Sequence, residues 1–220
     1  MKNLHNALLL KQLYQLKTFG YKYTDTKPFS YQEQNPLEFP HSIEALKNQA
    51  LSCHLCSLSK TRKNVVFGKG SKEAKVMFVG DMPLTLEEEK GEPFLGRGGE
   101  MLTAMIEKVL KISFNEVYIT NLLKCKPSTN QKINETAFHT CKAYLFKEIE
   151  LIQPKVIITL GEKPYHYLTN DTTALQEIRG TVFKEKLYTL IPTYHPNFLL
   201  KNPSFKKEVF LDLKKAKALL

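Results

Sequence analysis

Residues 75–83 read Lys-Val-Met-Phe-Val-Gly-Asp-Met-Pro, an apolar run that ends in a glycine, a carboxylate and a proline. A short apolar run bounded by turn residues is typical of a strand that is buried on both faces. Similar runs return three times along the chain, at 116–120, 155–160 and 187–191. Stretches with helical periodicity lie between and after them, at 98–112, 135–152, 162–168 and 203–219. This alternation predicts an α/β fold of three layers, a four-stranded parallel sheet flanked by helices.

Polar or turn-forming residues follow each predicted strand. They lie at 80–83, 121–125, 161–162 and 192–196. Ligands of parallel α/β sheets bind beyond the carboxyl ends of the strands, so we expect the functional residues in these four segments.

The N-terminal part has a different composition. Residues 3–19 show the spacing of a short amphipathic helix, and residues 20–42 are rich in tyrosine and proline. We therefore predict two parts, an N-terminal helix with a linker over 1–45 and a catalytic domain over 46–220.

The charge of the chain favours an anionic partner. The formal net charge is +10 and the estimated pI is 9.3, which suits a partner rich in phosphate, although abundant surface lysine would give the same balance. The N-terminal apolar run stops at Lys11 after four residues. We therefore expect a cytoplasmic protein without an export signal or a membrane span.

Four cysteines are candidates for a metal centre. Cys53 and Cys56 form a C-x-x-C unit, and Cys125 and Cys141 follow far along the chain. A four-thiolate zinc ion and a [4Fe–4S] cluster both fit this set, and spacing alone does not separate them. A redox-active pair and four unrelated buried thiols are the remaining interpretations.

The loop after the first strand carries further candidates. Asp81 follows the strand directly, and Phe94 lies in a tight Pro-Phe-Leu-Gly turn. Glycines at 96, 98 and 99 open the next helix, where backbone amides could meet a phosphate. Alternatively, Phe94 is a core residue and Asp81 a helix cap.

Taken together, these motifs resemble the family 4 uracil-DNA glycosylases, which are iron–sulfur enzymes. The resemblance covers residues 51–200. Besides the cysteines, it rests on Gly-Asp-Met-Pro-Leu at 80–84, Gly-Glu-Pro-Phe-Leu-Gly-Arg-Gly-Gly at 91–99, Thr-Asn-Leu-Leu-Lys-Cys-Lys-Pro at 120–127 and Pro-Thr-Tyr-His-Pro at 192–196.

The resemblance implies a monofunctional DNA-repair enzyme that hydrolyses the N-glycosidic bond of a flipped-out deoxyuridine, the first step of base-excision repair. Phe94 would stack on the uracil and Asn121 would bind its pairing edge. His195 would stabilise the departing anion, and Asp81 would position water. The four cysteines would hold a [4Fe–4S] cluster, and Glu87 and Gly80 would border the base.

The resemblance also implies how DNA is held. Leu199, or else Phe198, would fill the gap that the base leaves, while Lys201 and Arg97 would meet phosphates of single- or double-stranded DNA. Alternatively, Leu199 and Phe198 both pack under the last helix. We expect a monomer.

Two positions depart from the family pattern, Asp81 where the family has Glu and Leu84 where it has Gly. A cluster-bearing DNA-binding relative without activity is therefore an alternative, and the cysteines alone allow a zinc-containing nucleic-acid-binding protein.

Overall fold

The computed structural model of the protein describes residues 39–128 and 135–220, together with eight positions between Ala7 and Thr18. Those eight positions are helical. The rest of the predicted N-terminal helix, and most of the predicted linker, lie outside the described residues. Residues 39–220 form a compact unit, and the predicted boundary after residue 45 stays a prediction.

The described helices cover both faces of a sheet. They are α1 (Ile43–Leu51), α2 (Thr85–Lys90), α3 (Gly96–Met105), α4 (Glu135–Ile152), α5 (Glu162–Thr169), α6 (Leu175–Ile178), α7 (Pro196–Lys201) and α8 (Lys206–Lys217). Helix α3 continues into a π-helical turn, Ile106–Leu110, and 3-10 turns span Ser57–Lys60, Phe114–Glu116 and Pro203–Phe205.

The sheet has six strands in the described ranges. They are β1 (Lys69–Gly70), β2 (Val76–Gly80), β3 (Tyr118–Asn121), β4 (Val156–Leu160), β5 (Phe183–Lys184) and β6 (Thr189–Thr193), in the order β1-β3-β2-β4-β6-β5. The four central strands are parallel, as the sequence predicts. The two outer strands pair antiparallel and were not predicted, because two residues are too few to show an alternating pattern.

The last central strand lies two residues further along the chain than its prediction at 187–191. It includes Pro192, which is opposite Thr159 of β4. Proline is tolerated there because the outer neighbour β5 pairs only with Thr189 and Leu190. The shift brings the end of β6 to Thr193, two residues before His195.

Two large apolar clusters, and a small third one of Tyr165, Ile178 and Leu190, hold the helices to the sheet. On one face, α1 and α4 pack on β2 and β3 through buried side chains such as Leu46, Leu145 and Met77. On the other face, α3 and α8 pack through Leu102, Leu213 and their neighbours. Burial on both faces explains why the central strands are continuously apolar.

Candidate active site

The carboxyl ends of the four parallel strands meet at one edge of the sheet. Gly80 ends β2 and is paired with Asn121 at the end of β3. Thr193 ends β6, and His195 follows it as the N-cap of α7. Gly161 follows β4 and donates its N–H to the Thr193 oxygen at 2.8 Å. The topology therefore brings together all four segments that the sequence singles out.

Gly80, Phe94 and Asn121 are direct neighbours. A Cβ atom on Gly80 would lie 2.3 Å from Asn121 Oδ1 and 2.7 Å from Phe94 Cζ. The Phe94 ring also stacks on the His195 ring, with centroids 5.7 Å apart and planes inclined by 24°. Glycine at 80 leaves the space in which an aromatic face, an amide and an imidazole converge.

The loop that carries Phe94 is held in an unusual conformation. Phe94 has a φ of 54°, in the left-handed region that bulky residues rarely adopt. A Cβ on Gly99 would lie only 1.9 Å from the Phe94 carbonyl oxygen, so the first turn of α3 packs against this loop. Glu87 ties the loop further, because its carboxylate accepts the backbone N–H groups of Leu84 (2.9 Å) and Leu95 (3.3 Å).

Glu87 therefore stabilises the loop that carries Phe94. Burial raises the pKa of its carboxyl group, and the backbone N–H groups oppose that rise. The prediction that it borders the base stays a prediction. What the contacts show is a side chain that joins α2 to the Phe94 loop.

Asn121 presents an unused donor. Its side chain is 2% exposed, and its Nδ2 is buried without a hydrogen-bond partner among the described residues. Buried polar atoms without partners are rare in folded proteins and often mark a place for a ligand.

Asp81, like Asn121, has a buried polar atom without a hydrogen-bond partner among the described residues. This atom is Oδ1, while Oδ2 lies 3.4 Å from Lys163 Nζ on α5. Burial raises the pKa of Asp81, and the lysine charge opposes that rise. The shorter carboxylate thus has a cationic neighbour that no sequence motif indicated.

His195 is held in one tautomer. Its Nδ1 accepts the backbone N–H of Asn197 at 3.1 Å, and burial lowers its pKa to about 4. At neutral pH the ring is therefore uncharged and carries its proton on Nε2. The imidazole is a hydrogen-bond donor in this state without being a cation.

All four cysteines line one small cavity between the segment after α1, the segment after β3 and α4. Arg62 also lines this cavity and donates from Nη1 to Cys125 Sγ at 3.6 Å. The Lys124 N–H donates to Cys141 Sγ at 3.3 Å. Within 39–128 and 135–220, the structure shows no group of three or more His, Cys, Asp or Glu side chains close enough to hold a single metal ion.

The segment predicted to insert into DNA is placed differently from expectation. Leu199, the first choice for a wedge, is 1% exposed and belongs to the buried cluster that includes side chains of α3 and α8, so the structure contradicts its presentation at the surface. Its neighbour Phe198 is exposed and stacks on Tyr194. Lys201 and Arg97 are both exposed.

The chain belongs to the uracil DNA glycosylase superfamily, whose family model matches residues 67–214. Over 186 residues it is 37% identical to the type-4 uracil-DNA glycosylase of Sulfurisphaera tokodaii, which covers 81% of this chain and 84% of that protein. The enzyme of the same name from Saccharolobus solfataricus is 37% identical over 81% of this chain and 87% of its own length. The one from Thermotoga maritima is 32% identical over 81% and 94%.

These relatives give the family: the chain is a member of the type-4 uracil-DNA glycosylases. The resemblance drawn from the motifs and the α/β fold are thereby confirmed. A search of the helices in the described ranges found none that is long and apolar enough to cross a membrane.

Proposed function

We propose that this protein removes uracil from DNA by hydrolysing the N-glycosidic bond, which leaves an abasic site and initiates base-excision repair. The observation that carries the proposal is the convergence of Phe94, Asn121 and His195 beside Gly80. Within the part of the chain that the structure describes, Asn121 Nδ2 and Asp81 Oδ1 are both buried without a hydrogen-bond partner. A base within a duplex cannot reach such a site, so the nucleotide must be turned out of the helix.

Recognition of the base follows from two side chains. The Phe94 ring would stack on the pyrimidine, and the Asn121 amide would bind its pairing edge. An amide offers both a donor and an acceptor, which match O4 and N3–H of uracil. Cytosine presents the opposite pattern at these two atoms, and the resulting unpaired buried groups would exclude it.

Departure of the base is assisted by His195. As the glycosidic bond breaks, negative charge grows on the leaving uracil. The Nε2–H of a neutral imidazole can donate to O2 where that charge develops. The bond from Asn197 to Nδ1 orients the ring for this purpose, so the N-cap of α7 also fixes the catalytic tautomer.

Asp81 would act on the sugar. Positive charge grows on the sugar as the bond breaks, and an ionised carboxylate nearby stabilises it and can orient the attacking water. Lys163 favours the ionised form of Asp81 against the effect of burial. This ion pair supports a catalytic role for the shorter carboxylate at position 81.

The cysteine cavity supports a metal centre that is held by four thiolates. All four cysteines line it, and the family resemblance implies that the centre is a [4Fe–4S] cluster. Burial raises the pKa of Cys125 and Cys141, and a metal centre supplies the positive charge that buried thiolates require. The four cysteines would hold the cluster, whose contribution is to cross-link three segments of the domain.

The DNA backbone would meet the rim of the site. Arg97 at the start of α3 and Lys201 at the end of α7 are exposed cations that can contact phosphates of single- or double-stranded DNA. Phe198 replaces Leu199 as our proposed wedge, because its ring is 36% exposed. We propose that the protein acts as a monomer.

The experiment is an excision assay on an oligonucleotide with one uracil, followed by alkaline cleavage of abasic sites. The wild-type protein should cleave that strand and leave the matching cytosine strand intact. Asn121→Ala and His195→Ala should each lower the single-turnover rate by on the order of 10²–10³, the usual effect of losing one such hydrogen bond. Absence of product at high enzyme concentration would favour a DNA-binding relative without activity.

A further inference from the structure

A buried ion pair contacts the backbone of Asn121, the residue proposed to bind the pairing edge of the base. Lys124 and Glu148 form it, and their side chains are 3% and 0% exposed. The Lys124 ammonium also donates to Thr120 Oγ1 at 2.7 Å and to the backbone oxygen of Asn121 at 2.8 Å. All three of its protons therefore have acceptors.

Glu148 is held as completely as the lysine. Its carboxylate accepts the Tyr118 hydroxyl at 3.0 Å, the Thr120 hydroxyl at 3.1 Å and the Gly68 N–H at 3.3 Å. Burying two charges carries a large desolvation cost, and an apolar pair of the same volume is often as stable or more so. The network thus calls for a role besides stability.

The position of Lys124 in the chain suggests that role. Between Asn121 and Cys125, the N–H of Leu122 donates to the Gly80 oxygen at 2.9 Å, and that of Leu123 donates to the Asp81 oxygen at 3.0 Å. The N–H of Lys124 itself bonds Cys141 Sγ. The segment 121–125 therefore connects the Asn121 side chain, the backbone of Asp81 and the cavity that the four cysteines line.

We infer that Lys124 is a positioning residue for Asn121, in the reaction proposed above. The ammonium, oriented by Glu148, fixes the backbone carbonyl of Asn121. The side chain of that residue, whose Nδ2 has no hydrogen-bond partner among the residues that the structure describes, is thereby presented in one direction to the pyrimidine. A displacement of about 1 Å at such a contact can lower a rate by about 10², so a rigid backbone anchor has a direct effect on excision.

The test is a double-mutant cycle on single-turnover uracil excision. The pair variant Lys124→Met with Glu148→Gln removes both charges together, and the glutamine oxygen still accepts from Tyr118 and Gly68. We expect it to lower the rate by about 10- to 100-fold. Combined with Asn121→Ala, it should lower the rate of that variant by less than about threefold, because effects that pass through one residue do not multiply.

Lys147→Met is the matched control. Lys147 is also a largely buried lysine on α4, but it pairs with Glu150 (2.6 Å), and its replacement should leave the excision rate unchanged. Equal losses with and without the Asn121 side chain would overturn the inference, as would a pair variant with the wild-type rate. Glu148→Gln alone is a second variant in case the pair variant fails to fold, and it should show a smaller loss that also vanishes without the Asn121 side chain.

A measurement independent of excision separates this inference from the proposed function. In the cluster-loaded protein, the side-chain amide resonance of Asn121 should shift when free uracil is added. In the pair variant it should start from a different position and respond more weakly. If the wild-type protein removes no uracil, the proposed function fails, and an unchanged Asn121 resonance in the pair variant would by itself refute the positioning role.

Discussion

Replacing Lys163 by methionine should move the acid limb of the pH profile of kcat/KM to higher pH. Lys163 Nζ lies 3.4 Å from Asp81 Oδ2 and opposes the rise in the pKa of Asp81 that burial causes. The proposed reaction requires the ionised carboxylate. Without the lysine charge, Asp81 would take up its proton at a higher pH, so activity would fall earlier as the solution is acidified.

The size of the shift follows from the geometry. Two unit charges at this distance interact by about 5 kcal/mol at an effective dielectric constant of about 20 and by about 1 kcal/mol in bulk water. Because the Lys163 side chain is 46% exposed, solvent screens the pair, and the lower value of about 1 kcal/mol is the appropriate one. Since about 1.4 kcal/mol corresponds to one pKa unit, the limb should move by about 0.7 pH unit. His195 does not set this limb in the variant, because burial lowers its pKa to about 4.

The assay is initial-rate excision from a uracil oligonucleotide over about pH 4.5–9, from which kcat/KM reports the ionisations of the free enzyme. Lys155→Met is the control, because Lys155 immediately precedes β4 at the opposite end of the strand that leads to Lys163. Five strand residues separate the two ends by about 17 Å, well beyond the screening length of about 8 Å. The control should keep the wild-type limb. A Lys163→Met profile that lowers the plateau but leaves the limb in place would show that Asp81 does not depend on this lysine.

Three further changes probe other parts of the site. Gly80→Ala should abolish excision in a protein that still folds, because the new methyl would lie 2.3 Å from Asn121 Oδ1; a melting curve beside the activity assay checks both, and near-normal activity would contradict the close packing. Cys125→Ser should lower the melting temperature and remove visible absorbance near roughly 400 nm; iron and zinc analysis of the purified wild-type protein decides between cluster and zinc. Phe198→Ala should reduce excision from duplex DNA more than from single strands, because a wedge matters only where a gap opens; equal losses on both substrates would refute that role.

The central fold could be predicted because its signals are local. Continuous apolar runs that end in turn residues indicated all four parallel strands, and the residues directly after them indicated the edge where Asn121 and His195 lie. The two outer strands carried no such signal, since Lys69–Gly70 and Phe183–Lys184 owe their conformation to β3 and β6.

In the candidate site, too, some residues were indicated by the sequence and others were not. Phe94 and Asn121 stand in recognisable motifs, and the structure brings them together. Lys163 and Glu148 stand in none, because they act through charge across elements that are distant in sequence. Leu199 and Phe198 are adjacent apolar residues whose exposure depends on how α7 packs, so the pattern alone could not decide which one is exposed.

The outer strands of the sheet have a consequence for how the protein behaves in a crowded solution. A long unpaired strand is a template on which another chain can add its own, and such additions lead to aggregation. Here each side of the sheet is finished by a pair of residues that runs against its neighbour, one of them ending in a glycine and the other in a lysine. A strand of a second molecule would find only a short stretch of free backbone at either edge. Addition of further strands to the sheet is therefore disfavoured.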